Sequence, residues 1–211
     1  MPSTKPFLSI ILSVGSKSHE LLKSLEHVHG LTVDEYEVIV VQNGQSCWTE
    51  DDFSDEHIND LHLRLVPNTN LGGASALNQA VQSSAGKWIA IFQDESNFRP
   101  KDLERFLDNA HKCPEYELFC SNHWLNANAG LDQEESGFTK FYPESPFPVL
   151  ELFQGKAAAL TSMVIKRELL DEIGLFDETL VQAYEYDMLL RLFSSRRYKS
   201  CLLYTSPSPR D

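Results

Sequence analysis

Residues 70–96 constrain the fold more than any other part of this chain. They read N-L-G-G-A-S-A-L-N-Q-A-V-Q-S-S-A-G-K-W-I-A-I-F-Q-D-E-S, so a glycine turn, a helix with small side chains, a buried strand and an acidic strand end follow one another directly. Open α/β sheets bind their ligands beyond the carboxyl ends of their strands. We therefore expect the chemistry of the protein to lie near Asp94 and Glu95.

The alternation of strands and helices continues along the rest of the chain. Apolar or β-branched runs predict strands at residues 8–12, 38–41, 63–66, 88–92, 116–120 and 157–165. Between these runs, apolar residues recur at the spacing of a helix, and a last helix is predicted at about residues 185–195. This order predicts an α/β fold with one open, mostly parallel sheet, flanked by helices on both faces, in a single domain.

Composition excludes several classes of function. The 31 acidic and 18 basic residues give a net charge of -13 and leave no basic stripe for a phosphodiester backbone, so we expect no nucleic-acid partner. We find no run of about 18 apolar residues that would predict a membrane span, and residues 7–12 are too short for the core of a signal peptide. Cys47, Cys113 and Cys120 show no metal-ligand spacing, which predicts free thiols and a cytoplasmic location.

The last eleven residues, C-L-L-Y-T-S-P-S-P-R-D, differ in character from the rest. They resemble the translation of a sequencing-library adaptor, and the alternative is a short Ser-Pro tail on a natural terminus. We expect residues 1–200 to form the domain, truncated at its C-terminal end, and residues 201–211 to belong to no domain.

Four blocks of sequence carry a resemblance to a known family. They are L-S-I-I-L-S with the helix H-E-L-L-K-S-L; E-V-I-V-V-Q-N-G; N-T-N-L-G-G-A-S-A-L-N with G-K-W-I-A-I-F-Q-D-E; and V-I-K-R-E-L-L-D-E-I-G-L-F-D-E with E-Y-D-M-L-L-R-L. From about residue 7 to residue 198 the chain resembles family 2 glycosyltransferases, which have the GT-A nucleotide-sugar-binding fold. The string Q-D-E-S is also similar to the strand end D-Q-D-S of rhamnosyltransferase-like members.

The resemblance implies a set of nucleotide-sugar-binding residues. Ser13 and Asn43 match positions where the family holds the nucleotide base, and Asn70, Gly72 and Asn78 match the turn and helix beneath the nucleotide. The family has an acidic residue where this chain has Asn43. The alternative for Asn43 is a turn residue before a glycine, because Asn-Gly pairs form turns readily.

The resemblance also implies a divalent cation. Related enzymes carry an Asp-x-Asp-like motif that holds Mg²⁺ or Mn²⁺ against the donor diphosphate, and here the string is Gln93-Asp94-Glu95. We expect Asp94 and Glu95 to bind the metal, with Asp94 also facing the nucleotide sugar, because hard cations prefer carboxylate oxygens. The alternative is that both acids only close a buried strand.

The catalytic residues implied are Glu185 and Asp187. Glu185 matches the acid that removes the proton from the acceptor hydroxyl in related inverting enzymes, and Tyr184 stands where the family often has another acid. Asp187 has two interpretations, because its spacing to Arg191 is also that of an ion pair on a helix surface. For Glu185 the alternative is an acid that stabilises a helix N-terminus.

Taken together, these motifs predict an inverting glycosyltransferase that uses a nucleotide-diphosphate sugar, a divalent metal and a glycan, lipid-linked or other hydroxyl acceptor. An alternative is a catalytically weakened relative that binds nucleotide or glycan without transfer. A nucleotidyltransferase is a third possibility, but the segment V-G-S-K-S-H after the first strand has one glycine and one lysine, where a triphosphate loop needs more glycines.

Overall fold

The computed structural model describes residues 5–15, 19–29, 31, 35–43, 48–67, 72–93, 100–121, 160–195 and 199–203. Three predicted site residues, Asn70, Asp94 and Glu95, lie outside the described residues, and so does Cys47.

Strands and helices alternate over most of the described chain. The helices are His19–His29 (α1), Asp55–Asp60 (α2), Gly73–Ser83 (α3), Pro100–Lys112 (α4), Arg167–Ile173 (α5) and Tyr184–Ser194 (α6). The strands are Leu8–Val14 (β1), Tyr36–Gln42 (β2), Leu63–Val66 (β3), Trp88–Gln93 (β4), Leu118–Ser121 (β5), Met163–Lys166 (β6) and Ser200–Leu203 (β7). Short 3-10 turns occur at Glu50–Asp52 and Leu160–Ser162.

The strands form one open sheet in the order β3-β2-β1-β4-β6-β5-β7. All neighbouring strands are parallel except β6, which runs antiparallel to both β4 and β5. The prediction of an open, mostly parallel α/β sheet is therefore confirmed. Because β1, β2, β3 and β4 run in one direction, their carboxyl ends meet at one edge, which we call the carboxyl edge.

Helices cover both faces of this sheet, as predicted. The alternation of side chains along β1 sends Leu8, Ile10 and Leu12 into a core with α1 and α4, while Ile11 enters a second core with α3, α5 and α6. Nearly continuous burial along β1, β2 and β4 matches their apolar composition, since a strand covered on both faces cannot alternate apolar and polar residues.

The C-terminal half of the sheet differs from the sequence-based expectation in two places. Within the apolar run predicted as a strand at residues 157–165, the described part forms a 3-10 turn at Leu160–Ser162 and then the strand Met163–Lys166, because a continuous apolar run has no periodicity that marks where a strand begins. The strand Ser200–Leu203 includes residues 201–203 of the predicted tail, and its backbone pairs with β5. The origin of that tail stays a prediction.

A polar cluster closes the opposite edge of the sheet, where these strands begin. The buried Glu37 carboxylate accepts hydrogen bonds at Oε1 from Ser9 Oγ (2.7 Å), Ala85 N (2.6 Å) and Gly86 N (3.2 Å), and at Oε2 from Arg64 Nη2 (2.7 Å). We call these five residues the Glu37 cluster. Burial raises the pKa of Glu37, but the hydrogen bonds from Ala85 and Ser9 and the charge of Arg64 outweigh burial and hold the pKa below its ordinary value.

Candidate active site

Three polar side chains reach the carboxyl edge from adjacent strands. Ser13, near the end of β1, lies opposite Gln93 at the end of β4. Asn43 directly follows β2, and its backbone N–H donates to the Val14 carbonyl (2.7 Å). Ser13 is buried and Asn43 is half-buried. The structure therefore brings the two residues predicted to hold the base to one edge, together with Gln93.

The N-terminus of α3 carries two glycines with different surroundings. Gly72 precedes the helix with φ +157° and is exposed. Gly73 begins the helix and lies against Tyr184, since a Cβ atom on Gly73 would lie 2.6 Å from Tyr184 Cζ. Only glycine allows the phenol ring to approach the helix backbone this closely.

Glu185 lies in the first turn of α6. The residue before this helix, Ala183, is left-handed (φ 62°, ψ 12°), and the helix begins at Tyr184. The side-chain amide of Gln93 donates a hydrogen bond from Nε2 to Glu185 Oε1. The expected base and the end of β4 are thus in direct contact, although 92 positions separate them in the chain.

Burial affects the ionisation of both Glu185 and Tyr184. Burial raises the pKa of the Glu185 carboxyl above its ordinary value, and the hydrogen bond from Gln93 opposes part of this increase. Burial, together with the negative charge of Glu185, raises the pKa of the Tyr184 phenol. The phenol therefore stays protonated at neutral pH, and the carboxylate has a higher proton affinity than an exposed glutamate.

Asn78 is buried and fully engaged with the loop that follows α5. Its Oδ1 accepts from Phe176 N (2.9 Å), and its Nδ2 donates to Phe176 O (2.9 Å) and to Glu178 Oε1 (2.8 Å). These bonds fasten α3 to the segment that leads into α6 and Glu185. The sequence-based assignment of Asn78 to the nucleotide stays a prediction, as do those of Ser13, Asn43 and Gly72.

Asp187 forms the helix-surface ion pair that its spacing predicts. Its Oδ2 accepts from Arg191 Nε (2.9 Å) and Nη2 (2.7 Å). The same guanidinium donates to the carbonyls of Ile173 (2.8 Å), Gly174 (3.0 Å) and Leu175 (2.8 Å). Asp187 thus orients an arginine that satisfies carbonyl groups at and just beyond the C-terminal end of α5. Its assignment as a catalytic residue stays a prediction.

The predicted metal ligands do not contribute to the described geometry. Across the described ranges, no group of three or more His, Cys, Asp or Glu side chains has an arrangement that could hold a metal ion. Asp94 and Glu95 follow Gln93 directly in the chain but lie outside those ranges. Of the cysteines considered in the sequence, Cys113 is half-buried and Cys120 is buried.

Two contacts of this site were not among the sequence-based predictions. In the sequence, Gln93 and Tyr184 differ from the acids of the resembled family, but no local pattern connects Gln93 with Glu185 or Tyr184 with Gly73. The absence of a carboxylate at position 93 was the available signal, because an amide can donate a hydrogen bond to an acid where another carboxylate would repel it.

The open, mostly parallel sheet with helices on both faces has the GT-A fold of nucleotide-sugar transferases. The model of the family described as Glycosyl transferase family 2 matches residues 9–173. The chain therefore belongs to glycosyl transferase family 2.

Curated relatives are similar along most of this chain. An uncharacterized glycosyltransferase of Methanocaldococcus jannaschii is 24% identical over 197 residues, which cover 90% of this chain and 66% of that protein. One from Haemophilus influenzae is 26% identical over 197 residues, covering 88% of this chain and 61% of that protein. The chain thus spans slightly less than two thirds of the length of these relatives.

Solved structures share the fold at low sequence identity. Residues 1–349 of S. aureus TarS align with a TM-score of 0.73 at 14% identity, covering 96% of this chain and 59% of that chain. The mannosyltransferase PcManGT of Pyrobaculum calidifontis, solved with GDP-Man and Mn²⁺, aligns with a TM-score of 0.61 at 18% identity, covering 99% of this chain and 59% of that chain.

Among the helices described here, none has the length and apolar character needed to cross a membrane.

Proposed function

We propose that this chain is the donor-binding and catalytic part of an inverting glycosyltransferase. The observation that carries the proposal is the position of Glu185, a partly buried carboxylate with a raised pKa beside the end of β4. An acceptor hydroxyl attacks the anomeric carbon while the bond from that carbon to the donor diphosphate breaks. Glu185 takes the hydroxyl proton, and this single displacement inverts the anomeric centre.

The donor is a nucleotide-diphosphate sugar that lies along the carboxyl edge. Ser13 and Asn43 offer hydrogen bonds to the base, and Gly72 and Asn78, with Asn70 by the family resemblance, are assigned to the nucleotide. Ser75, in the first turn of α3, is buried, and its hydroxyl has no hydrogen-bond partner in the described part of the chain. An unsatisfied hydroxyl next to the amides of a helix N-terminus is suited to an anionic ligand.

Asp94 and Glu95 are the residues that would hold a divalent cation. Two carboxylates provide the oxygen ligands that Mg²⁺ and Mn²⁺ prefer, and Gln93 in the preceding position contributes no negative charge. When bound, such a cation neutralises charge that develops on the departing diphosphate. Mannosyltransferase PcManGT was solved with GDP-Man and Mn²⁺, which supports this assignment by fold similarity.

A donor screen tests the proposal. The chain is incubated with UDP-glucose, UDP-GlcNAc or GDP-mannose, with and without MnCl₂, and release of the nucleoside diphosphate is measured. We expect Mn²⁺-dependent release from one donor class, and loss of release in Asp94→Ala and Glu95→Ala. The exposed helix residue Asp108, changed to Ala, is the matched control. Release that persists in both variants contradicts the metal site.

A second candidate is a relative that binds the donor without transferring the sugar. The observation that favours it is Gln93, which stands where the resembled family has its first acid and which is bonded to Glu185. Titration calorimetry with the same donors separates the two functions. Binding that is independent of Mn²⁺, with no turnover, favours the binding protein and rules out the transferase.

A further inference from the structure

We propose that Gln93 is a positioning residue for Glu185, because its side-chain amide holds one carboxylate oxygen and thereby directs the other toward the acceptor. The inference rests on the proposed function, in which Glu185 receives the acceptor proton. It assigns a role to the position where this chain departs from the resembled family.

The backbone on both sides of the contact is well fixed. Gln93 ends β4 and pairs in register with Ser13 on the central strand β1. The helix that carries Glu185 packs into the core through Met188, which is fully buried, and Asn78 fastens the preceding loop to α3. A hydrogen bond between two such supports restricts the Glu185 side chain to few rotamers.

Among the described residues, Gln93 is the hydrogen-bond partner of the Glu185 carboxylate. The bond is made at Oε1, and Oε2 accepts no hydrogen bond from the same set of residues. A neutral amide suits this position because it donates to the carboxylate without repelling it. A carboxylate in place of Gln93 would bring two like charges into contact and raise the pKa of Glu185 further.

Tyr184, Tyr186 and Asp187 are the ionisable neighbours of Glu185 along α6. Tyr184 is protonated at neutral pH, since its pKa is raised, and Asp187 is paired with Arg191. Replacement of Gln93 by a residue without an amide therefore removes the hydrogen bond to Glu185 Oε1.

The test compares Gln93→Met, which keeps the length of the side chain, with Gln93→Glu, which adds a charge. In ¹³C-glutamate-labelled protein, the carboxyl resonance of Glu185, assigned by its loss in Glu185→Gln, is followed against pH. We expect the pKa of Glu185 to rise in Gln93→Met and to rise further in Gln93→Glu. Gln82→Met, the same change on an exposed part of α3, leaves it unaltered. An unchanged pKa in Gln93→Met overturns the proposal.

Kinetics provide a second and separable measurement. With the donor found in the screen, we expect Gln93→Met to lower kcat about tenfold or more while KM for the donor changes less than about twofold, because the lost hydrogen bond is the one to the charged Glu185 carboxylate. Equal kcat in Gln93→Met and wild type, with Glu185→Gln inactive, overturns the positioning role alone. Full activity of Glu185→Gln contradicts the proposed function itself.

Discussion

Each of the two edges of the sheet holds a partly or fully buried glutamate, and the pKa values of the two carboxyl groups are shifted in opposite directions. At the edge where the strands begin, Glu37 accepts hydrogen bonds from three groups at Oε1 and from Arg64 at Oε2, and its pKa is lowered. At the carboxyl edge, Glu185 accepts one from Gln93, and its pKa is raised. Burial raises the pKa of both acids, so the additional hydrogen bonds at Glu37 and the charge of Arg64 account for the opposite sign.

This difference separates a structural role from a chemical one. A carboxylate that is saturated with donors binds a proton weakly and joins the elements around it. A carboxylate with one donor keeps both its proton affinity and an oxygen that can accept a proton from a substrate. Under the proposed function, the same side-chain chemistry thus stabilises the fold at one edge and supplies the base at the other.

Replacement of Glu185 by Gln gives the largest effect that the comparison predicts. We expect kcat to fall about 100- to 10,000-fold, the usual contribution of a general base, while the free energy of unfolding changes by less than about 1 kcal/mol. Initial rates and urea unfolding of the same preparations measure both quantities. Glu26→Gln, an exposed change on α1, is the control for the substitution itself. A large loss of stability in Glu185→Gln would remove the distinction between the two edges.

Replacement of Gly86 by Ala tests the opposite edge through stability. A Cβ atom on Gly86 would lie 2.5 Å from the backbone nitrogen of Ser9 and 2.8 Å from the carbonyl carbon of Leu8. Both atoms belong to the backbone around the start of the central strand β1, so relief requires the backbone itself to shift. We expect the free energy of unfolding to fall by about 3 kcal/mol in urea titrations, the upper part of the range for overpacking. An unchanged unfolding midpoint would contradict this close approach.

The Glu37 cluster makes stability depend on pH in a defined window. Because the folded pKa of Glu37 lies below its unfolded value of about 4.3, the carboxylate stabilises the fold above that pH, and the contribution is lost as pH falls through the folded pKa. Glu37→Gln should therefore cost about 2 kcal/mol at pH 7, and this difference from wild type should shrink below pH ~4. Urea unfolding at pH 7, 5, 4 and 3 measures the difference, and a cost independent of pH would exclude the carboxylate as its source.

Local patterns predicted the first half of the sheet well. The strand Leu63–Val66 agrees with the expected bounds, and the apolar residues that recur at helical spacing in α4 are buried: Leu103, Phe106, Leu107 and Ala110. These features depend on apolar periodicity, which is written in consecutive residues. The antiparallel β6 and the added strand β7 depend on pairing between distant segments, and no local pattern specifies that.

The candidate site divides in the same way. The i,i+4 spacing of Asp187 and Arg191 predicted their ion pair because both residues lie on one helix. The contact of Gln93 with Glu185 links positions 92 apart, and the contacts of Asn78 with Phe176 and Glu178 link positions 98 and 100 apart. The family resemblance identified Glu185 as the expected base, but it did not indicate which side chain would contact that carboxylate.

Replacement of Gly73 by Ala has a small expected effect on stability and compares the carboxyl edge directly with the edge at Gly86. As at Gly86, a Cβ atom on Gly73 would overlap a neighbour, but here the neighbour is the phenol end of Tyr184, which lies 2.6 Å away at Cζ. A side chain that is only half-buried can rotate away where backbone cannot, so we expect Gly73→Ala to reduce the free energy of unfolding by less than about 1 kcal/mol. Turnover should nevertheless fall several-fold, because Tyr184 precedes Glu185 in the first turn of α6 and its displacement disturbs that turn.

The double variant Gly73→Ala, Tyr184→Ala is the control. It removes the overlap, so its urea midpoint should equal that of Tyr184→Ala alone. A midpoint in Gly73→Ala as low as that of Gly86→Ala would show that the carboxyl edge is as rigid as the edge closed by the Glu37 cluster.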